Sequence, residues 1–122
     1  MSPGLIRVRE HIDRHYAREL TVDTLAALAG LSPFHFIRAF RAAFGQTPHQ
    51  YVRGRRIERA KELLATTMFP VTEVCDKVGF QSLGSFTTLF RRLTGETPAE
   101  YRAARRKNVY IPTCFIRMYR AE

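Results

Sequence analysis

The stretch FRAAFGQTPHQYVRGRR, Phe40–Arg56, returns fifty residues later as FRRLTGETPAEYRAARR, Phe90–Arg106. Phe36, Phe40, Arg41, Gly45, Thr47, Pro48, Tyr51, Arg55 and Arg56 pair with Phe86, Phe90, Arg91, Gly95, Thr97, Pro98, Tyr101, Arg105 and Arg106. Gly30 pairs with Gly79, with one residue inserted after it. A tandem duplication restricts the fold to two copies of one small unit, because both copies obey the same local rules. At 122 residues the chain is too short for two ordinary domains. The copies are therefore small joined lobes, each with a modest core.

The unit is helical. Thr47-Pro48-His49-Gln50 and Thr97-Pro98-Ala99-Glu100 each put Thr at the N-cap, Pro at the first helical position and Gln or Glu three residues after the cap. Ser32-Pro33 is another cap and first-turn proline, and Gly30, Gly45, Gly79 and Gly95 fall where helices stop. This punctuation predicts an all-α chain of about seven helices, 4–18, 22–29, 33–44, 48–67, 71–78, 83–93 and 98–106. Strand-like alternation is confined to the tail, around Val109-Tyr110-Ile111 and Cys114-Phe115-Ile116.

Within LTVDTLAALAGLSPFHFIRAF, Leu25, Ala26 and Ala29 form a packing face, Gly30 allows a tight turn, and Phe36 and Phe40 at i, i+4 pin the second helix to the first. That is the pattern of a helix-turn-helix. FPVTEVCDKVGFQSLGSFTTLF repeats it with Val74, Cys75, Val78, Gly79, Phe86 and Phe90, and Cys75 stands where its counterpart is Ala26, as a small buried packing residue. Between the units, HQYVRGRRIERAKELLATT carries an apolar stripe of Tyr51, Ile57, Ala60, Leu63 and Leu64 and a basic surface of Arg53, Arg55, Arg56, Arg59 and Lys61. Such a helix of nineteen residues is about 28 Å long. One turn of B-DNA advances about 34 Å. The linker can thus hold two recognition helices at successive major-groove segments, and the duplicated sequence reads as a duplicated DNA contact.

Charge supports that direction. Twenty Lys and Arg against eleven Asp and Glu leave +9, an excess that draws a folded surface to polyanions. Nucleic acid ranks ahead of anionic membrane, since no apolar run approaches the roughly 18 residues a bilayer span needs. MSPGLIRVREHIDRHY has no secretory apolar core, so a cytoplasmic location is expected. Cys75 and Cys114 lack metal or disulfide spacing, and His11 and His15 at i, i+4 have no third ligand in view. No nucleophile-base set, phosphate-cradling glycine loop or paired-carboxylate site is present, which argues against an enzyme and against any cofactor or metal.

The pattern A-G-L-S-P-x-H-F-x-R-x-F, the central R-I-x-x-A-x-x-L-L and the closing G-F-x-S…F-x-x-x-F-R-R-x-x-G-x-T-P-x-x-Y-R resemble the two-helix-turn-helix domain of AraC/XylS-type bacterial transcription regulators. The resemblance spans about residues 5–106. It implies two helical lobes joined by a long helix, sequence-specific binding to asymmetric sites in double-stranded DNA near promoters, and often recruitment of RNA polymerase. Many relatives carry an effector-sensing domain, for which this chain has no room; it resembles either a stand-alone member or the C-terminal part of a larger regulator. The corresponding division is a DNA-binding domain over 1–107, with lobe one at about 4–47, a linker helix at about 48–67 and lobe two at about 68–106, followed by an apolar extension over 108–122.

The resemblance places base readers at Phe34, Ile37 and Arg38. Arg38 is suited to a bidentate contact with guanine, Phe34 to sugars or a thymine methyl, and Ile37 to apolar contact alone. In the second unit the exposed candidates are Gln81, Ser82, Leu83, Gly84, Ser85 and Thr88, of which Leu83, Gly84, Ser85 and Thr88 are the base-reading positions, a set poor at direct readout, with Thr88 at the position matching Arg38. Backbone contacts are expected from Ser32, His35, Arg41, Arg55 and Arg56 in the first half and from Ser82, Arg91, Arg92 and Arg105 in the second. Lobe two then grips phosphates while lobe one supplies more of the sequence information. The competing reading is a basic protein-interaction adaptor without base preference. KNVYIPTCFIRMYRAE is too apolar for an ordinary disordered tail and is expected either to fold back on lobe two or to dock on a sensor domain, a second copy or RNA polymerase.

Overall fold

The computed structural model describes residues 2–107. Seven helices order them: α1 (Pro3–His15), α2 (Val22–Ala29), α3 (Pro33–Phe44), α4 (Pro48–Thr66), α5 (Val71–Lys77), α6 (Leu83–Thr94) and α7 (Pro98–Lys107). The expected fold-back of 108–122 lies outside the described residues. The three caps read from the sequence, Ser32, Thr47 and Thr97, form their bonds, and α2 and α6 add caps at Thr21 and Ser82, whereas α1 and α5 start without a side-chain cap. Ser32 Oγ accepts from the His35 N–H at 3.3 Å, and Ser82 Oγ from the Ser85 N–H at 3.2 Å. Both Thr-Pro starts are closed capping boxes: Thr47 and Gln50 exchange bonds of 3.0 and 3.2 Å, Thr97 and Glu100 bonds of 2.8 and 3.1 Å. One end differs. α1 stops at His15 rather than at residue 18, because the Tyr16 and Arg18 carbonyls turn out of the helix to meet a side chain of α4.

Two separate cores follow from the repeat. Leu5, Val8 and Ile12 of α1, Leu25 and Ala26 of α2, Phe36 and Phe40 of α3 and Val52 of α4 fill the first. The second takes Ile57, Ala60, Leu63 and Leu64 of α4, Val74 and Cys75 of α5, Val78, Phe86, Leu89 and Phe90, and Tyr101 of α7. α4 therefore belongs to both lobes, closing the first with its N-terminal half and opening the second with the rest. Burial, with Asp76 adding to it, pushes the Cys75 thiol up from its ordinary value, in keeping with a packing residue. Matching aromatic ladders run through the cores, Phe36–Phe40–Tyr51 with centroid steps of 5.8 and 5.8 Å and Phe86–Phe90–Tyr101 with 5.7 and 5.4 Å. Tyr51 is only half-buried, because its hydroxyl donates to Asp13 Oδ1 at 2.8 Å, whereas Tyr101 is 8% exposed.

Beyond α4, the lobes touch where the turn of the second helix-turn-helix meets the α1–α2 loop. Gly79 has φ 102°, and a Cβ there would lie 2.6 Å from the Ala17 carbonyl oxygen. Only glycine meets both demands.

Candidate nucleic-acid interface

α3 and α6 are the second helices of the two helix-turn-helix units, each anchored by two phenylalanines one turn apart and wholly buried. Anchoring through Phe36 and Phe40 turns the opposite face of α3 outward. Phe34 is 71% exposed, and His35, Arg38 and Arg41 are exposed beside it. The Arg38 guanidinium lies 5.7 Å from the centre of the Phe34 ring, so the two expected readers form one stacked pair. Ile37 differs from its companions: it is partly buried against the first core, which limits it to contact through the edge of its side chain.

On α6 the exposed residues include Leu83, Gly84, Ser85, Thr88, Arg91 and Arg92, with Leu93 exposed near the end of the helix. A groove of about 410 Å³ runs between this helix and α4, lined by Arg53, Gly84, Ser85, Thr88, Leu89 and Arg92. Two arginines from different helices thus flank the shortest side chains of α6. Sequence spacing names Arg53 as basic surface, but its meeting with Arg92 depends on how α4 crosses α6. Ser32 and Ser82 stand at the helix starts with their oxygens accepting the cap bonds, which leaves each hydroxyl proton free to donate to a phosphate.

The arginines at the end of the repeat do something other than expected. Arg56 donates from Nε to the Tyr16 carbonyl at 2.6 Å and from Nη2 to the Arg18 carbonyl at 2.9 Å. Its repeat partner Arg106 donates to the Thr67 carbonyl. Tyr16 and Thr67 are the C-cap residues of α1 and α4, the first helix of each lobe. A helix end leaves carbonyls without partners and carries partial negative charge, and a guanidinium answers both. The duplication at these positions is a duplicated structural clamp, and Arg56 is corrected from phosphate contact to clamp. Burial lowers its pKa from the ordinary value, in line with a half-buried guanidinium held by carbonyls. Arg102 reinforces lobe two in the same manner, on the Leu64 carbonyl at 3.1 Å and the Phe69 carbonyl at 2.6 Å.

Arg55 is also engaged. Its Nε lies 3.3 Å from Asp13 Oδ1, an ion pair without a hydrogen bond from that nitrogen, and its guanidinium lies 5.8 Å from the centre of the Tyr16 ring. Arg105, its counterpart, is exposed and stacks 4.1 Å over Tyr101. Arg59 pairs with Glu62 at 2.8 Å and Lys61 with Glu58 at 3.2 Å. The basic surface expected along α4 is therefore largely engaged, by Asp13 of α1, by carbonyls and by acidic residues of α4 itself, and among the described residues no ion pair holds Arg53. Among the described residues no group of three His, Cys, Asp or Glu side chains is placed to hold a metal ion, and no helix is long and apolar enough to cross a membrane.

Two exposed helix faces on two equivalent lobes define a tandem helix-turn-helix protein. Comparison with known proteins agrees: a helix-turn-helix domain family matches residues 25–104. The regulatory protein SoxS of Salmonella typhimurium is 36% identical over 76% of this chain and 87% of its own length. The probable transcriptional regulator LumQ of Photobacterium leiognathi is 35% identical over 80% of this chain, which spans 40% of that protein. Among solved structures, the DNA-binding domain of the global transcriptional factor AdpA, in complex with a target DNA, superposes with a TM-score of 0.81 at 38% identity, over 85% of this chain and 94% of that one. The chain belongs to the AraC/XylS-type helix-turn-helix family.

Proposed function

We propose that this chain binds double-stranded DNA sequence-specifically as the DNA-binding part of a transcription regulator, placing α3 and α6 in successive major-groove segments of one site. The observation that carries it is the pair of equivalent helices, each fixed by buried phenylalanines and each leaving its outer face uncovered. The reading is not enzymatic. Phe34 and Arg38 read bases from α3, with Ile37 at the margin, while Leu83, Gly84, Ser85 and Thr88 let α6 approach closely with little hydrogen-bonding discrimination. Ser32, His35, Arg41, Arg53, Ser82, Arg91, Arg92 and Arg105 hold phosphates. Recruitment of RNA polymerase, and control by a sensor domain, are the proposed routes from DNA occupancy to regulation.

Selection of bound duplexes from a random-sequence pool tests the reading. The expected result is one enriched, asymmetric site, strongly specified over one half and weakly over the other. Retention of all sequences alike would overturn it in favour of a basic adaptor surface.

A further inference from the structure

The two lobes join at two places, and one residue touches both. The first is α4, which gives Val52 to one core and Ile57 to the other. Between them stands Gly54, where an added Cβ would meet nothing within 4 Å. No packing demand accounts for that glycine, and glycine weakens a helix interior by about 1 kcal/mol relative to alanine. The connecting helix is softest where the lobes part. The second junction is the loop seam, where Gly79 lies against Ala17. Arg56 follows Gly54 by two residues, and its bonds to the Tyr16 and Arg18 carbonyls bracket Ala17. The guanidinium also lies 5.7 Å from the centre of the Phe80 ring, the residue after Gly79. Arg106 clamps its own lobe through the Thr67 carbonyl and Met68; Arg56 has the ring of the other lobe in addition.

We propose that Arg56 is a positioning residue that fixes the distance and rotation between α3 and α6, so that binding depends on the spacing between the two halves of the DNA site. The inference rests on the DNA-binding reading above. Two base pairs inserted between the halves rotate one against the other by about 70° and shift it by about 7 Å. A seam locked by Arg56 cannot follow that displacement. With the lock removed, Gly54 lets α4 bend and the second helix can follow.

The test uses the duplex enriched by the unmodified protein, the same duplex with two base pairs inserted between its halves, and a scrambled duplex. Affinities are measured for the unmodified protein, for Arg56→Gln and for Phe80→Leu, which leaves the carbonyl clamp in place, removes the ring that Arg56 faces and keeps an apolar side chain where Phe80 packs on Phe86. The insertion should weaken the unmodified protein about tenfold or more, the scale of a lost base contact, and each folded variant less than about threefold. Both variants should still prefer the parent duplex to the scrambled one. Melting curves identify a variant that does not fold, and Phe80→Leu decides if Arg56→Gln is lost in this way. Folded variants that keep the tenfold penalty overturn the role of Arg56, as does an unmodified protein that selects its site yet tolerates the insertion. An unmodified protein that treats parent and scrambled duplexes alike overturns the DNA-binding reading itself, and the proposal with it.

Discussion

At the level of single residues, a helix start can be written with Gln or with Glu, and this chain uses one of each. Gln50 and Glu100 make the same bond to the N-cap N–H, at 3.0 and 2.8 Å, but only the carboxylate titrates. The backbone bond from Thr97, followed by its side-chain bond, holds the Glu100 carboxyl below its ordinary pKa. The folded state thus favours the ionised form. Its contribution is present above the unfolded-state value of about 4.3 and is lost as pH falls through the lower folded-state value. Melting temperature should therefore fall more steeply with acid for the natural protein than for Glu100→Gln, and parallel pH profiles would contradict this. The division between readers and anchors is testable at the same scale. Arg38→Ala should weaken the selected site more than random duplex, while Arg91→Ala or Arg92→Ala should weaken both about equally. Equal losses for all three variants on both duplexes, measured by competition binding, would remove Arg38 from base reading.

At the level of helices, the phenylalanine pairs decide whether a lobe exists. Phe40 and Phe90 are wholly buried, and truncation of either to alanine should cost about 3–5 kcal/mol in denaturant unfolding. DNA binding would fail because the lobe opens; an unchanged unfolding midpoint would refute the packing role. Residues such as these are legible in sequence because their partners are close: a cap bonds three residues on, and Phe36 meets Phe40 one turn away. The cap bonds that start α3, α4 and α7, and the core places of Leu25, Phe36, Phe40, Val74, Phe86 and Phe90, follow from such spacings, whereas Leu5, Val8 and Ile12 of α1 and Val52 of α4 join the first core only through the way the helices cross. Arg56 is of another kind. Its partners lie 40 and 38 residues back, in a loop that sequence reading takes for helix, and its ring contact lies in the other lobe. An arginine written twice has the same appearance whether it meets a phosphate or a helix end. What separates the readings is burial, and burial depends on how the helices cross. The outward face of α3 was legible for the converse reason: once Phe36 and Phe40 point inward, helical geometry leaves Phe34, His35, Arg38 and Arg41 outside. Ile37 sits on the boundary between the two faces, where spacing alone does not decide.

For the whole molecule, the engaged arginines change how strongly DNA binding should respond to salt. Counting every arginine of the duplicated segments as a phosphate contact gives too large a charge, because Arg56, Arg102 and Arg106 serve carbonyls and Arg55 faces Asp13. Arg59 and Lys61 are compensated by acidic neighbours on α4. This leaves Arg38, Arg41, Arg53, Arg91, Arg92 and Arg105, of which Arg38 is assigned to bases. Neutralising about 4–6 phosphates corresponds to a slope of log affinity against log salt of about −3.6 to −5.4. Because both recognition helices lie on one chain, binding should proceed with one protein per site, and sedimentation of the complex checks that ratio. The slope also separates the two classes of arginine. Arg92→Ala should flatten it by about one unit, since a phosphate contact disappears. Arg56→Gln should leave the slope of the remaining binding nearly unchanged while altering its dependence on half-site spacing, because that side chain meets carbonyl oxygens and an aromatic ring. A slope flattened equally by both substitutions, read from titrations at several salt concentrations, would return Arg56 to the DNA backbone and sink the clamp.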